Sequence, residues 1–235
     1  MEVRHQSAHP WHTLPESTPE RIGHKTGRPQ HWLHLWEANV KDQDIVLGDQ
    51  AIRKVLRSNL IARHSEEVDT VIVEELGVCR GQVRVDVAVV NGALHGYEIK
   101  SDRDSLRRLS IQAEFYGKVL DRATLVVGNH HLNDAPDLVP SWWGVLHVQM
   151  GAGVPRFKVV RRGRKNPGKD PRALVELLWR EEAIALLEER KAAHGVRGKP
   201  RWRIWDRICE CFSIDEIAAA VRAGLKTRAM KTALP

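Results

Sequence analysis

The sequence contains no run of about eighteen or more apolar residues, so no transmembrane helix is predicted. Its first residues are polar and rich in histidine and proline, and they lack the apolar segment of a secretory signal peptide. Only three cysteines are present, Cys79, Cys209 and Cys211. They are too few and too oddly spaced for a disulfide framework or a zinc site. These absences predict a protein of the reducing cytoplasm that does not contact a membrane.

Positive charge is concentrated in the C-terminal part of the chain. The 235 residues carry a net charge of +7. Residues 1–150 contain 17 Lys+Arg and 20 Asp+Glu, whereas residues 151–235 contain 20 Lys+Arg and 10 Asp+Glu, which gives net charges of −3 and +10. A basic segment attracts phosphate groups, so this asymmetry favours a nucleic-acid partner. A basic tail that only keeps the protein in solution is the alternative.

Composition and hydrophobic periodicity divide the chain into four segments. Residues 1–43 are polar, contain four prolines and are predicted to form a flexible N-terminal extension. A folded core is expected over 44–150. A basic connector over 151–171 then leads to a helical region over 172–235, which packs on the core or is appended to it.

The order of predicted elements in the core indicates an α/β fold. A helix is predicted over 49–64 with Asp49 as its N-cap. A strand over 68–73, a hairpin over 83–100 and a second helix over 101–120 follow. Two further strands, ATLVVG and SWWGVLHVQM, complete the core. This order predicts a mixed central sheet flanked by helices.

The C-terminal segment is predicted to be helical throughout. One helix is expected over 172–191, and Ser213 with Glu216 forms a capping box that opens the last helix. The final two helices form either a helical hairpin that packs on the core or a helix-turn-helix DNA reader. The hairpin is favoured because neither helix carries an obvious base-reading face.

Candidate chemistry lies in the stretch RVDVAVVNGALHGYEIKS over 84–101. Asn91-Gly92 joins two strand-like runs and is a strong hairpin signal. Glu98 and Lys100 are two residues apart, so they project from one face of a strand, and the hairpin brings Asp86 near them. Two carboxylates suit Mg²⁺, and a lysine beside the metal can position a water. A cross-strand salt bridge without a function is the alternative.

Asp86 followed by Glu98-Ile99-Lys100 on neighbouring strands resembles the PD-(D/E)XK, or restriction-endonuclease-like, phosphodiesterase superfamily. Gln112 and Tyr116 are similar to the Gln-x-x-x-Tyr element of some of its nuclease branches. The phrases EIKSDRDSLRRLSIQAEFY, LVVG and SWWGV are similar to a small bacterial and phage group of that superfamily. The resemblance covers about residues 44–180 and, more loosely, the C-terminal helices. It implies a restriction-endonuclease-like core with a helical basic C-terminal extension.

The resemblance further implies a metal-dependent nuclease that hydrolyses phosphodiester bonds, with DNA as the expected substrate. Asp86, Glu98 and the backbone carbonyl of Ile99 would hold one or two Mg²⁺ or Mn²⁺ ions. Glu75 would be the third acid, with Glu74 as its alternate.

Four further roles follow from the same resemblance. Lys100 would orient or deprotonate the attacking water and stabilise the developing charge. Gln112 would position the substrate or a metal-bound water, and Tyr116 would contact a phosphate. Nucleic-acid contacts are expected from seven basic residues: Arg103, Arg107, Arg108, Arg161, Arg162, Arg164 and Lys165.

Two other functions remain open on the sequence alone. One is a non-cleaving module that binds DNA or a protein on a nuclease-like fold. The other is a small α/β scaffold with a basic oligomerisation tail. DNA is the expected partner, and a homodimer or a protein partner is also compatible with the sequence.

Overall fold

A six-stranded sheet forms the centre of the protein in the computed structural model, which describes residues 48–151 and 154–233. The predicted extension over 1–43 lies outside these residues. The strands lie side by side in chain order, and β3–β4 and β4–β5 are parallel while the other pairs are antiparallel. The prediction of a mixed sheet flanked by helices is therefore confirmed. The strands are β1 (Val71–Val78), β2 (Val83–Val90), β3 (Leu94–Lys100), β4 (Arg122–Val127), β5 (Gly144–Gly151) and β6 (Val154–Arg161).

Within the described residues, six α-helices cover the two faces of this sheet. Helix α1 packs on one face through Ile52, Leu56 and Leu60, which are fully buried. Burial of such a side chain stabilises the fold by about 1.5–3 kcal/mol, so these three positions anchor α1. Side chains of the other helices belong to the apolar cluster on the opposite face. The helices are α1 (Asp49–Arg63), α2 (Leu109–Val119), α3 (Pro171–Val175), α4 (Arg180–Glu189), α5 (Arg201–Cys211) and α6 (Ile214–Ala233).

The alternation of side chains along β1 is interrupted at Glu75. Its φ of 55° is left-handed, which costs a non-glycine residue about 1–3 kcal/mol. Val73 and Leu76 consequently pack in the same apolar cluster, although positions three apart on a regular strand face opposite ways. The register of β1 and β2 puts Glu75 beside Asp86 of the neighbouring strand. Alternation from Val71 and Val73 therefore does not predict where the Glu75 carboxylate lies.

Several local predictions about the N-terminal half need correction. Gly48, not Asp49, is the N-cap of α1, and Asp49 lies in the first turn. The loop between β2 and β3 comprises residues 91–93, because Asn91 accepts a hydrogen bond from the Ala93 N–H at 3.0 Å. The second helix was predicted over 101–120, but α2 begins at Leu109, and Ser105 caps the turn before it by accepting from the Arg107 N–H.

The segment over 151–191 also differs from its prediction. Residues 154–161 form β6 within the predicted connector. The predicted helix over 172–191 is divided into α3 and α4, because Trp179 adopts an extended conformation and its N–H donates to Glu182 at 2.8 Å. Glu182 thus closes the first turn of a new helix instead of continuing the old one.

The last two helices pack on the core as a helical hairpin. The predicted capping box is confirmed, since the Ser213 N–H donates to Glu216 at 2.8 Å and the Glu216 N–H donates to the Ser213 hydroxyl at 3.4 Å. Ile208 of α5 and Ile217 of α6 are fully buried in the same cluster as the sheet. No helix in the described part of the chain is long and apolar enough to cross a membrane.

Candidate functional site

A cleft of about 520 Å³ lies between α1, the β1–β2 hairpin and the start of α2. Val87 pairs with Tyr97, so the register of β2 and β3 puts Asp86 opposite Glu98. Sequence analysis therefore identified residues that the fold does bring together. Six of the residues predicted to be catalytic or to bind metal line the cleft: Glu75, Asp86, Glu98, Ile99, Lys100 and Gln112.

Glu98 lies at the floor of the cleft, with 1% of its surface exposed. Its Oε1 accepts hydrogen bonds from Lys100 Nζ at 2.5 Å and from Gln112 Nε2 at 2.6 Å. Its Oε2 accepts from the Tyr116 hydroxyl at 2.5 Å. Both carboxylate oxygens are thus satisfied by the chain itself, and the network joins β3 to α2.

The Tyr116 hydroxyl is held as a proton donor. It lies 2.5 Å from Glu98 and 2.5 Å from the backbone carbonyl of Arg84, and both groups are acceptors. Burial, together with the nearby charge of Glu98, raises the pKa of Tyr116 above its ordinary value. The hydroxyl therefore stays neutral and supports the Glu98 carboxylate from beneath.

Arg53 of α1 occupies the upper part of the cleft. Its Nη2 donates to Asp86 Oδ1 at 3.0 Å, and its Nη1 donates to Glu75 at 2.5 Å. Asp49, one helical turn earlier, accepts from the same guanidinium at 3.3 Å. Three carboxylates thus share one arginine. Sequence analysis missed Arg53, although the i,i+4 spacing from Asp49 was a signal that the two side chains share a helix face.

Asp86 has two donors and an unfavourable electrostatic environment. Its Oδ2 accepts from the Ile99 N–H at 2.7 Å, while its Oδ1 pairs with Arg53. Burial and the nearby Glu98 carboxylate nonetheless raise the pKa of Asp86 to about 7, because they outweigh the Ile99 N–H, Arg53 and Lys100. The Asp86 charge therefore depends on pH near neutrality.

The oxygens predicted to bind Mg²⁺ or Mn²⁺ already accept hydrogen bonds from the chain. Among the residues described, no three His, Cys, Asp or Glu side chains are placed to share a metal ion. Arg53 and the Ile99 N–H engage the two oxygens of Asp86, and the donors around Glu98 engage both of its oxygens. As arranged, the residues do not fit a divalent ion, which would have to displace Arg53. The metal remains a prediction.

The two acids considered at the end of β1 lie in different places. Glu75 lines the cleft and accepts from both Arg53 and Arg84, the latter at 3.2 Å. Glu74 pairs instead with Arg57 of α1 at 2.8 Å. The left-handed conformation of Glu75 separates the two neighbours.

The seven basic residues predicted to contact nucleic acid form two groups at opposite ends of the sheet. Arg103, Arg107 and Arg108 follow the carboxyl end of β3, and Arg108 lines the cleft. Residues 161–165 lie at the other end, where Arg161 pairs with Val145 at the start of β5. The Arg161 guanidinium donates to the carbonyls of Trp143, Pro136 and Pro140. The other members of the second group, Arg162, Arg164 and Lys165, are exposed.

A second candidate site lies at the start of α5. We call Lys199–Arg203 the basic tip, since it has the sequence KPRWR and all five residues are exposed. Trp202 keeps 47% of its surface exposed, and the Arg203 guanidinium lies 4.4 Å from the centroid of its ring. A cavity of about 330 Å³ adjoins the tip. Sequence analysis missed this site, although an aromatic residue between arginines was the available signal.

The chain belongs to the bacteriophage P4 protein cII family, whose sequence pattern matches residues 47–233. Protein cII of Enterobacteria phage P4 is 34% identical over 96 residues, which cover 41% of this chain and 36% of that protein. The match therefore spans well under half of that relative. The SPO1766 protein of unknown function from Silicibacter pomeroyi has a TM-score of 0.37 and 24% identity, over 65% of this chain and 98% of that one.

Family membership overturns the nuclease prediction. The resemblance to the PD-(D/E)XK superfamily implied a metal-dependent phosphodiesterase, and that prediction is wrong because the family shown is that of P4 protein cII. A short pattern of two acids and a lysine on a hairpin also arises in a buried polar network. In this protein Lys100, Gln112 and Tyr116 each donate a hydrogen bond to Glu98.

Proposed function

We propose that this protein binds DNA without cutting it and acts in the cytoplasm in a regulatory rather than a catalytic role. The observation that carries the proposal is the unpaired charge of the basic tip. Lys199, Arg201 and Arg203 are exposed, and within the described residues no carboxylate pairs with any of them. Such cations are free to neutralise phosphates and release the counterions of DNA.

Other cations of the basic C-terminal part are already engaged. Arg190 pairs with Glu216, and Arg197 pairs with Glu188 at 2.5 Å. Arg222 lies 3.6 Å from the Asp121 carboxylate. These pairs offset part of the local charge, whereas no carboxylate of the described residues offsets the charges of the tip.

The cleft has a structural part in this proposal. Its hydrogen bonds join α1, the β2–β3 hairpin and α2. The module would then be a restriction-endonuclease-like core that holds DNA and leaves it intact. Further phosphate contacts are proposed from the exposed residues Arg103, Arg107, Arg108, Arg162, Arg164 and Lys165.

Removing the three charges of the tip is expected to weaken DNA binding. The variant Lys199→Ala/Arg201→Ala/Arg203→Ala loses up to three phosphate contacts. The slope of log affinity against log salt should therefore become shallower by as much as about 3, with lower affinity at low salt. Fluorescence anisotropy of a labelled duplex across about 50–200 mM salt measures both quantities.

A matched control removes the same charge elsewhere. The variant Lys54→Ala/Arg57→Ala/Lys118→Ala also lowers the net charge from +7 by three units, on α1 and α2. It should keep most of the affinity and the salt slope. If the two triple variants weaken binding equally, or if the unaltered protein binds no DNA, the proposed role of the tip is wrong.

A further inference from the structure

We propose that Trp202 and the cavity beside it bind one unpaired nucleobase, so that the protein prefers single-stranded to fully paired DNA. The proposal rests on the proposed function, because it names the form of DNA that the basic tip takes. The juxtaposition that supports it is an exposed indole, a neighbouring cavity and unpaired cations on one short segment.

The exposure of Trp202 is unusual for its surroundings. Trp205, one turn later on the same helix, is buried in the core, whereas Trp202 keeps 47% of its surface exposed. Arg203 covers part of the ring at 4.4 Å, as expected of a cation–π contact. Trp202 therefore presents a flat aromatic surface beside a positive charge, which is how proteins hold the bases of single strands.

The cavity provides room for a base beside this ring. Its volume of about 330 Å³ lies at the small end of ligand sites, which span roughly 300–1,000 Å³. Val196 and Pro200 form apolar parts of its wall. Two carboxylates also line it, and both are neutralised, Asp206 by Arg172 and Glu210 by Arg207.

The positive charges beside the cavity favour a base that belongs to a single strand. Phosphates on either side of a bound base would meet Lys199 and Arg201, whose charges no carboxylate of the described chain offsets. Bases inside a duplex already stack on one another and do not expose a face to a side chain. Only an unpaired base can therefore stack on Trp202 while its phosphates reach the tip.

The decisive probes are two labelled strands that differ only in their bases. One is an oligothymidine, and the other is a strand of equal length and phosphate number in which every residue is abasic. The full chain is expected to bind oligothymidine roughly 10-fold more tightly than the abasic strand, and more tightly than a duplex of equal length. Anisotropy titration at one fixed salt concentration measures these ratios.

The variants separate stacking from charge. Trp202→Ala should bind both strands with the affinity that the unaltered chain has for the abasic strand, and Trp202→Phe should keep most of the preference. Trp179→Ala is the matched control, because Trp179 is 58% exposed beneath Arg228 at 4.8 Å but does not line the cavity. Circular dichroism establishes that each variant is folded.

Three results would overturn the proposal, in two different ways. Equal affinity of the unaltered chain for both strands, or a preference that survives Trp202→Ala, removes the stacking site and leaves DNA binding intact. Failure to bind either strand or the duplex removes the proposed function as well.

Discussion

Replacing Glu98 with alanine is expected to destabilise the protein by about 3–5 kcal/mol. The change leaves the Lys100 ammonium, in a residue only 8% exposed, without its carboxylate partner. Gln112 also loses an acceptor, while Tyr116 keeps the Arg84 carbonyl. The main cost is that the buried Lys100 ammonium has lost its hydration and no longer has a carboxylate to compensate for that loss. Urea unfolding at neutral pH measures the difference through the transition midpoint and slope.

Glu114 provides the matched control for this substitution. It pairs with Lys118 at 2.8 Å on the outside of α2, and 68% of its side chain is exposed. Glu114→Ala should therefore cost less than about 0.5 kcal/mol. The double variant Glu98→Ala/Lys100→Met should recover part of the stability lost in Glu98→Ala, because it also removes the unpaired Lys100 charge. A loss below about 1 kcal/mol for Glu98→Ala would contradict the buried network described here.

Replacing Asp86 with asparagine is expected to change how stability depends on pH. The pKa of Asp86 is raised from 3.8 to about 7 in the folded protein, mainly by burial. A carboxyl group with a raised pKa contributes stability below its unfolded pKa and loses that contribution as pH rises through the folded pKa. Relative to Asp86→Asn, the unaltered protein should thus lose on the order of 3 kcal/mol between about pH 4 and pH 7.

The difference in stability between the unaltered protein and Asp86→Asn separates the effect of Asp86 from that of His95, which acts in the opposite direction. Burial, reinforced by Arg122, lowers the pKa of His95 from 6.5 to about 3, so His95 destabilises the fold as pH falls below 6.5. That effect is common to both proteins and cancels. Chemical denaturation at a series of pH values measures the free energy of unfolding of both proteins. If the difference between them does not change with pH, Arg53 offsets the burial of Asp86 and the prediction is wrong.

The sequence predicted the convergence of Asp86, Glu98 and Lys100 because a hairpin is local. Register follows from a short loop and an alternating apolar pattern. Gln112 and Tyr116 were predicted instead from the resemblance to a Gln-x-x-x-Tyr element. The position of Arg53 beside Asp86 could not be predicted from local sequence. Its contact with Asp86 spans 33 positions and depends on how α1 crosses the sheet.

The position of Glu75 was unpredictable for a different reason. Its left-handed φ breaks the alternation of β1, so that the side chains after Glu75 face the opposite way from the pattern before it. Non-glycine residues rarely adopt that conformation without tertiary contacts. The division of 172–191 into two helices likewise depends on Trp179 and Glu182, whose hydrogen bond competes with a continuous helix. In both cases interactions beyond local propensity decided the structure.

Function was predicted less well than geometry. The acid, acid and lysine pattern predicted a cluster that exists, yet it did not reveal that other groups of the chain already satisfy both acids. Lys100, Gln112 and Tyr116 donate to Glu98, and Arg53 and the Ile99 N–H donate to Asp86. Such satisfaction is a property of side-chain positions, which a spacing rule does not contain. The charge asymmetry towards residues 151–235 is the sequence feature that supports the proposed DNA binding.

The most direct test of DNA binding without cleavage is one incubation analysed in two ways. Labelled DNA, as duplex and as single strand, is mixed with the full chain in Mg²⁺, and half of each sample is run on a native gel and half on a denaturing gel. We expect retarded DNA on the native gel, lost at high salt, and strands of unchanged length on the denaturing gel. Unretarded DNA, or shortened strands whose formation ceases in Asp86→Ala and Lys100→Ala, would contradict the account.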